Sequence, residues 1–114
     1  MSWSSRTAAC LALMAACCTS PAIAAGVCPA REGQPLLFVQ VFDGPPEELA
    51  TLVPDVATER SGYWQLGYVY DAGRMVTIRC EYVDKQSVDV KLADRVERCD
   101  YSIRGRNRLK LSCH

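Results

Sequence analysis

Histidine is nearly missing: the 114-residue chain has one, and it is the last residue, His114. A Ser-His-Asp or Cys-His arrangement needs an imidazole held by a third group, and chain ends fray by default. The shortage argues against hydrolytic catalysis. No Cys-x-x-Cys spacing occurs, and one terminal histidine cannot complete a zinc set, so neither a metal site nor a cofactor is expected. Net charge is missing as well, with 13 Lys and Arg against 13 Asp and Glu. A chain so balanced is not built to bind nucleic acid or an anionic membrane surface. Long apolar runs are also absent. The longest, Thr7 to Cys18, is twelve residues and too short to span a bilayer comfortably, so no transmembrane segment is expected.

What is present begins with an address. Arg6 is the only charge in the first 30 residues; the apolar run follows it, and then come Pro21 and Ala22-Ile23-Ala24. A positive charge, an apolar stretch and small residues in this order make a secretory signal, residues 1–24, cleaved after Ala24. Leu13-Met14-Ala15-Ala16-Cys17 also fits a loose lipobox, in which Cys17 would be acylated and kept as a lipid anchor. Pro21 and Ala-Ile-Ala form a complete second site that a lipoprotein would not need, so simple export to the periplasm is the expectation.

Export changes the cysteine arithmetic. Seven cysteines become four, Cys28, Cys80, Cys99 and Cys113, which suggests two disulfides in one small domain, residues 25–114. Of three connectivities, Cys80–Cys99 with Cys28–Cys113 is expected, the second tying the two ends together. A direct Cys99–Cys113 hairpin bond stays open. Each bond is worth about 2–4 kcal/mol by restricting the unfolded chain.

Leu36 to Phe42 is β-rich and apolar, reading as a largely buried strand. Asp43-Gly44-Pro45-Pro46 stops it, and Glu47, Glu48, Leu49 and Leu52 then suit one short helix, about residues 45–53. Tyr63 to Tyr70 reads as a strand with Trp64, Leu66, Tyr68 and Tyr70 on one face. Asp71-Ala72-Gly73 is a turn. Val76, Ile78, Cys80 and Tyr82 align on the next strand, Val88, Val90 and Leu92 on another. Cys99, Tyr101 and Ile103 pass through the Gly105 turn to Leu109, Leu111 and Cys113. The expected class is α+β and β-dominated: a five- or six-stranded antiparallel sheet with one short helix. Spacing leaves barrel and open sheet undecided.

The block from Val41 to Asp55 (VFDGPPEELATLVPD), with Trp64-Gln65-Leu66 and Cys80-Glu81-Tyr82, resembles a family of small, exported, uncharacterised proteins of Gram-negative bacteria. The resemblance covers about residues 28–113. It implies a periplasmic, disulfide-bearing β-rich domain and transfers no site residue.

Candidate contacts come from charge and aromatics. Residues 25–60 carry a net charge of −4, and residues 95–114 a net charge of +4. Asp43, Glu47 and Glu48 are the acidic candidates for a partner surface or for paired-carboxylate chemistry, although first-turn carboxylates usually stabilise helices. Arg104, Arg106 and Arg108 surround a turn that could grip an anionic partner; a charged rim that keeps a hairpin edge soluble is the plainer reading. Pairing of the two poles with each other within the fold is a further reading. Tyr63 lies opposite the apolar row, where a partner could dock. A stapled small domain of this kind is expected to be a periplasmic protein-binding domain and not an enzyme. The concrete form is an inhibitor or immunity protein against a cell-wall-attacking enzyme. An envelope structural or stress accessory protein is the alternative, and a carbohydrate-binding module or small hydrolase the third reading.

Overall fold

Apolar alternation becomes strand wherever one face of the chain can be buried. The computed structural model describes residues 26–106 and 108–114; the signal segment and the Cys17 alternative lie outside them. Strands β1 (Leu36–Asp43), β2 (Thr51–Leu52), β5 (Val76–Tyr82) and β6 (Ser87–Leu92) form one antiparallel sheet, in the order β2-β1-β5-β6. Strands β3 (Val56–Ala57), β4 (Ser61–Gln65), β7 (Arg98–Arg104) and β8 (Arg108–Cys113) form a second, in the order β3-β4-β7-β8. The six longer strands are those the apolar pattern predicts. β2 and β3 are two-residue edge strands that no pattern of that length could announce.

A single sheet was expected, and there are two. One buried cluster joins them: Val39, Val41, Val76, Ile78, Cys80 and Tyr82 from the first, with Trp64, Cys99 and Leu111 from the second. Register explains which faces meet. Val41 lies opposite Ile78 and Val39 opposite Cys80, while Tyr101 lies opposite Leu111. In-register pairs point the same way, so each sheet presents one continuous apolar face.

The one expected helix and one of the expected strands need correction. Residues 45–53 hold only a 3-10 turn, Pro46–Glu48, and then β2. Thr51 and Leu52 pair with Phe42 and Val41, and the Asp43 amide donates to the Ala50 carbonyl at 2.9 Å. Pairing with the edge of β1 satisfies more backbone than a two-turn helix could, because its apolar face had nothing to cover: Leu49 is 80% exposed. The α-helix α1 (Gly67–Asp71) instead interrupts the expected Tyr63–Tyr70 strand. Leu66, Val69 and Tyr70 form an i, i+3, i+4 face; the first two are fully buried, and the Tyr70 hydroxyl donates to the Leu92 carbonyl at 2.8 Å. Tyr68, expected in the core, is half exposed.

The expected disulfide connectivity is also corrected. Cys28 bonds Cys80 and Cys99 bonds Cys113. Cys99 and Cys113 face each other across the β7–β8 ladder, so their bond closes the hairpin left open as an alternative. Cys80 lies in the core on the other sheet, in β5, and Cys28 meets it there with its Cα 5.8 Å away. The segment before β1 is held at two further points. The Tyr82 hydroxyl donates to the Pro29 carbonyl, and Arg31 donates two bonds to Asp84 at 3.0 and 2.9 Å. Burial pushes the Tyr82 phenol above its ordinary pKa, with Arg31 opposing; hydrogen bonds from Arg31 hold the Asp84 carboxyl below its own.

Leu49 occupies the left-handed region at φ 58°. That conformation costs a non-glycine residue about 1–2 kcal/mol, partly offset by the greater chain entropy that glycine loses on folding. With its side chain exposed, Leu49→Gly is expected to raise stability by about 0.5–1 kcal/mol. Urea denaturation checks this, and a lowered midpoint would mean that the leucine makes a contact worth more than the strain.

Candidate functional site

The run Leu36-Leu37-Phe38-Val39 does not alternate, and the backbone shows why. Between Leu36, opposite Tyr82, and Phe38, opposite Glu81, the register of β1 slips by one residue at a bulge. Bulges re-aim side chains. Here Leu37 and Phe38 are left 43% and 48% exposed on a strand whose Val39, Val41 and Phe42 are buried. They border an apolar cleft of about 310 Å³ between the sheets. Val41, Leu52 and Pro54 form one wall; Trp64, Tyr101, Ile103 and Leu109 form the other. The Trp64 and Tyr101 rings lie 5.3 Å apart, tilted by 52°. The Trp64 indole donates to the Leu52 carbonyl at 3.1 Å, joining the two sheets at this point. Gly62 lets Tyr101 lie against β4, since a Cβ there would strike the Tyr101 ring and the Val56 carbonyl.

The β7–β8 hairpin rises beside this cleft. Gly105 turns it at φ +58°, and Arg104 stands opposite Arg108 in the ladder. Like charges placed directly across a strand pair are destabilising. The Arg60 carbonyl accepts from the Ile103 amide at 2.7 Å, bringing Arg60 alongside, and Glu59 borders the same shallow depression as Gly105. Arg60, Arg104, Arg106, Arg108 and Lys110 are all exposed. Among the described residues, no ion pair engages any of them.

The other candidates lie elsewhere. Asp43 is turned to an internal use: Arg74 lies 2.8 Å from its Oδ1 and donates to its Oδ2 at 2.9 Å. That Oδ1 is buried and gains the charge of Arg74 without a well-formed hydrogen bond. Glu47 and Glu48 are exposed and border an open depression of about 420 Å³ with Arg74, Thr77, Asp89 and Lys91. This is the concave carboxylate arrangement that a catalytic reading needs. Two of its charged members are already engaged, Arg74 by Asp43 and Asp89 by Arg79 at 2.8 and 3.1 Å. Hydrogen bonding from Arg79 holds the Asp89 carboxyl below its ordinary pKa. Tyr63 lies under the guanidinium of Arg98, 3.6 Å from its ring centre, and Arg98 in turn donates to Asp100 at 2.8 Å.

His114 is held rather than frayed: its amide donates to Arg98 at 2.9 Å and its carbonyl accepts from Glu97 and Arg98. Its side chain is exposed. The two charge poles do not neutralise each other; among the described residues no ion pair joins residues 25–60 to residues 95–114. No cluster of three or more His, Cys, Asp or Glu side chains suited to a metal occurs among the described residues. No helix among them is long and apolar enough to cross a membrane.

The structure therefore sets Arg104 and Arg108 on the face of the β7–β8 hairpin opposite the cleft-lining Ile103 and Leu109, with Arg106 in the turn between them; it leaves Glu47 and Glu48 at a separate depression and places Tyr63 beneath Arg98. Sequence reasoning missed Leu37 and Phe38 as surface groups. The break in alternation at Leu36-Leu37-Phe38 was the one available signal.

No curated protein and no solved structure matches the chain. A family model described as "Type VI secretion system Tli immunity protein" matches residues 30–114, which takes in every strand of both sheets and all of the cleft. The chain belongs to the family of type VI secretion system Tli immunity proteins.

Proposed function

We propose that this immunity protein protects by seizing its effector enzyme directly, in the periplasm, with no chemistry of its own. Family membership selects the immunity reading over an envelope accessory protein or a carbohydrate-binding module. The observation that carries direct binding is the apolar cleft with Leu37 and Phe38 exposed at its mouth, on a molecule whose hairpin arginines are exposed and, among the described residues, engaged by no ion pair. Such a surface has apolar area to desolvate and charge to steer a partner. Two disulfides and an export signal suit an oxidising compartment.

The test pairs the protein with its type VI effector, to be sought first among the neighbouring genes. Cells receiving that effector in the periplasm should survive when the full chain is co-expressed and die when residues 1–24 are deleted. The purified proteins should form a stable complex in which Glu47→Gln and Glu48→Gln retain protection. Protection without any complex would sink direct binding, and loss of protection in the glutamine variants at normal complex formation would revive a catalytic role.

A further inference from the structure

Among the strands that end the two sheets, one long strand is left open. β2 and β3 have two residues each, and β8 is met by the segment before β1: a Cβ on Gly26 would lie 2.9 Å from the Leu111 carbonyl oxygen. β6 has β5 on one side, and among the described residues no strand lies on the other. Its open groups can be assigned. The Tyr82 amide donates to the Gln86 carbonyl at 2.9 Å, and bonded and non-bonded pairs alternate along an antiparallel ladder. Val88, Val90 and Leu92 therefore turn their backbone groups toward Cys80, Ile78 and Val76 of β5, while those of Ser87, Asp89 and Lys91 face the open edge. Such an edge is a template for one more strand.

We infer that β6 pairs edge to edge and antiparallel with β6 of a second copy of this chain, about a two-fold axis at Val90 that sets Asp89 of each copy opposite Lys91 of the other. Charge selects this register. Centring the axis one residue to either side, on Asp89 or on Lys91, would put like charges face to face, which is destabilising. Centred on Val90, both opposite pairs are complementary, and they join the backbone groups that point outward. The side chains are free to meet. Lys91 is exposed and forms no ion pair among the described residues, although Glu47 and Glu48 border the same depression. Asp89 is bonded to Arg79 on one side and keeps 42% of its side chain exposed. The other face of β6 fits as well. Val88, Val90 and Leu92 are half-buried against the core, and the axis sets Val90 against Val90 and Val88 against Leu92, continuing the apolar row across the join. A two-fold contact requires a self-complementary patch, and this strand is one. No residue of β6 lines the cleft, so the pairing stands or falls apart from effector binding.

The experiment is sedimentation equilibrium of the exported chain without effector, over a hundredfold range of concentration. A short strand pairing is a small interface, so a dissociation constant on the order of 100 µM is expected. Lys91→Glu and Asp89→Lys should each weaken the dimer at least about tenfold. An equimolar mixture of the two should regain it, because one strand is then wholly positive at these positions and the other wholly negative. Thermal melts check that both variants stay folded. Should Asp89→Lys fail to fold for loss of its bond to Arg79, Val90→Cys serves in its place: it faces itself across the axis and should cross-link on oxidation, whereas Val88→Cys should not. A wild type that stays monomeric throughout overturns the inference. So does a dimer that Lys91→Glu leaves intact, or one that Phe38→Asp dissociates in its stead, which would make the cleft the self-interface. Loss of effector binding in Lys91→Glu, with a monomeric wild type, would give the edge to the effector and end the inference.

Discussion

Replacing Cys28 and Cys80 together with alanine is expected to lower stability by about 4 kcal/mol, against about 3 kcal/mol for the Cys99–Cys113 pair. The ranking follows from the chain each bond closes, with sequence separations of 52 and 14 residues. A longer closed loop removes more freedom from the unfolded chain. Position adds to the difference. Cys80 and Cys99 are both fully buried, so each sulfur fills core volume, but the β7–β8 hairpin keeps its whole hydrogen-bond ladder when the Cys99–Cys113 bond is lost. Without the Cys28–Cys80 bond, the segment before β1 is held by the Tyr82–Pro29 hydrogen bond and the exposed Arg31–Asp84 pair. Exposed pairs of that kind contribute about 0–1 kcal/mol. A small domain has about 5–15 kcal/mol in total, so the first loss is a large share of it. Urea denaturation of the two double variants, without reductant, checks the order. Equal midpoints would mean that the unfolded chain is already constrained in the region the 52-residue loop spans.

Trp64→Ala is expected to destabilise by about 3–5 kcal/mol, the range for emptying a buried aromatic site. Trp64 is 5% exposed, packs tilted against Tyr101, and donates to the Leu52 carbonyl on the other sheet. It therefore holds β2 and β4 across the core as well as filling it. Trp64→Phe keeps most of the apolar contact and removes the indole donor, for an expected loss of about 1 kcal/mol. Trp64 is the sole tryptophan of residues 25–114, so its own fluorescence reports wild-type unfolding, and circular dichroism serves for the variants. A loss below about 1 kcal/mol for Trp64→Ala would mean that the cleft collapses around the vacancy. In that event the cleft is soft, and effector affinity should fall more than stability.

Much of this arrangement was legible before any coordinates. Val76, Ile78, Cys80 and Tyr82 point inward as their spacing requires, and so do Cys99, Leu111 and their neighbours, because alternation is a local property of an extended chain. Arg104, Arg106 and Arg108 stand out in the sequence as a charged turn and remain one in space. The exposed Leu37 and Phe38 were hidden, since an apolar run reads as buried unless a bulge is known. Tyr68 misled for a related reason. Gly67 to Asp71 is β-prone by composition, yet a turn of helix is what carries the chain from β4 on one sheet to β5 on the other.

The scarcity of histidine, the balanced charge and the even set of cysteines at 28, 80, 99 and 113 all follow from composition and order. Those are properties of short stretches and of counting. The division into two sheets, the partners of Cys28 and Cys99, and the cleft beside the arginine hairpin belong to the folded molecule. Each depends on which strands, distant in the chain, come to share a ladder or face one another across the core. Alternation says which side of a strand is apolar; it does not say what that side meets.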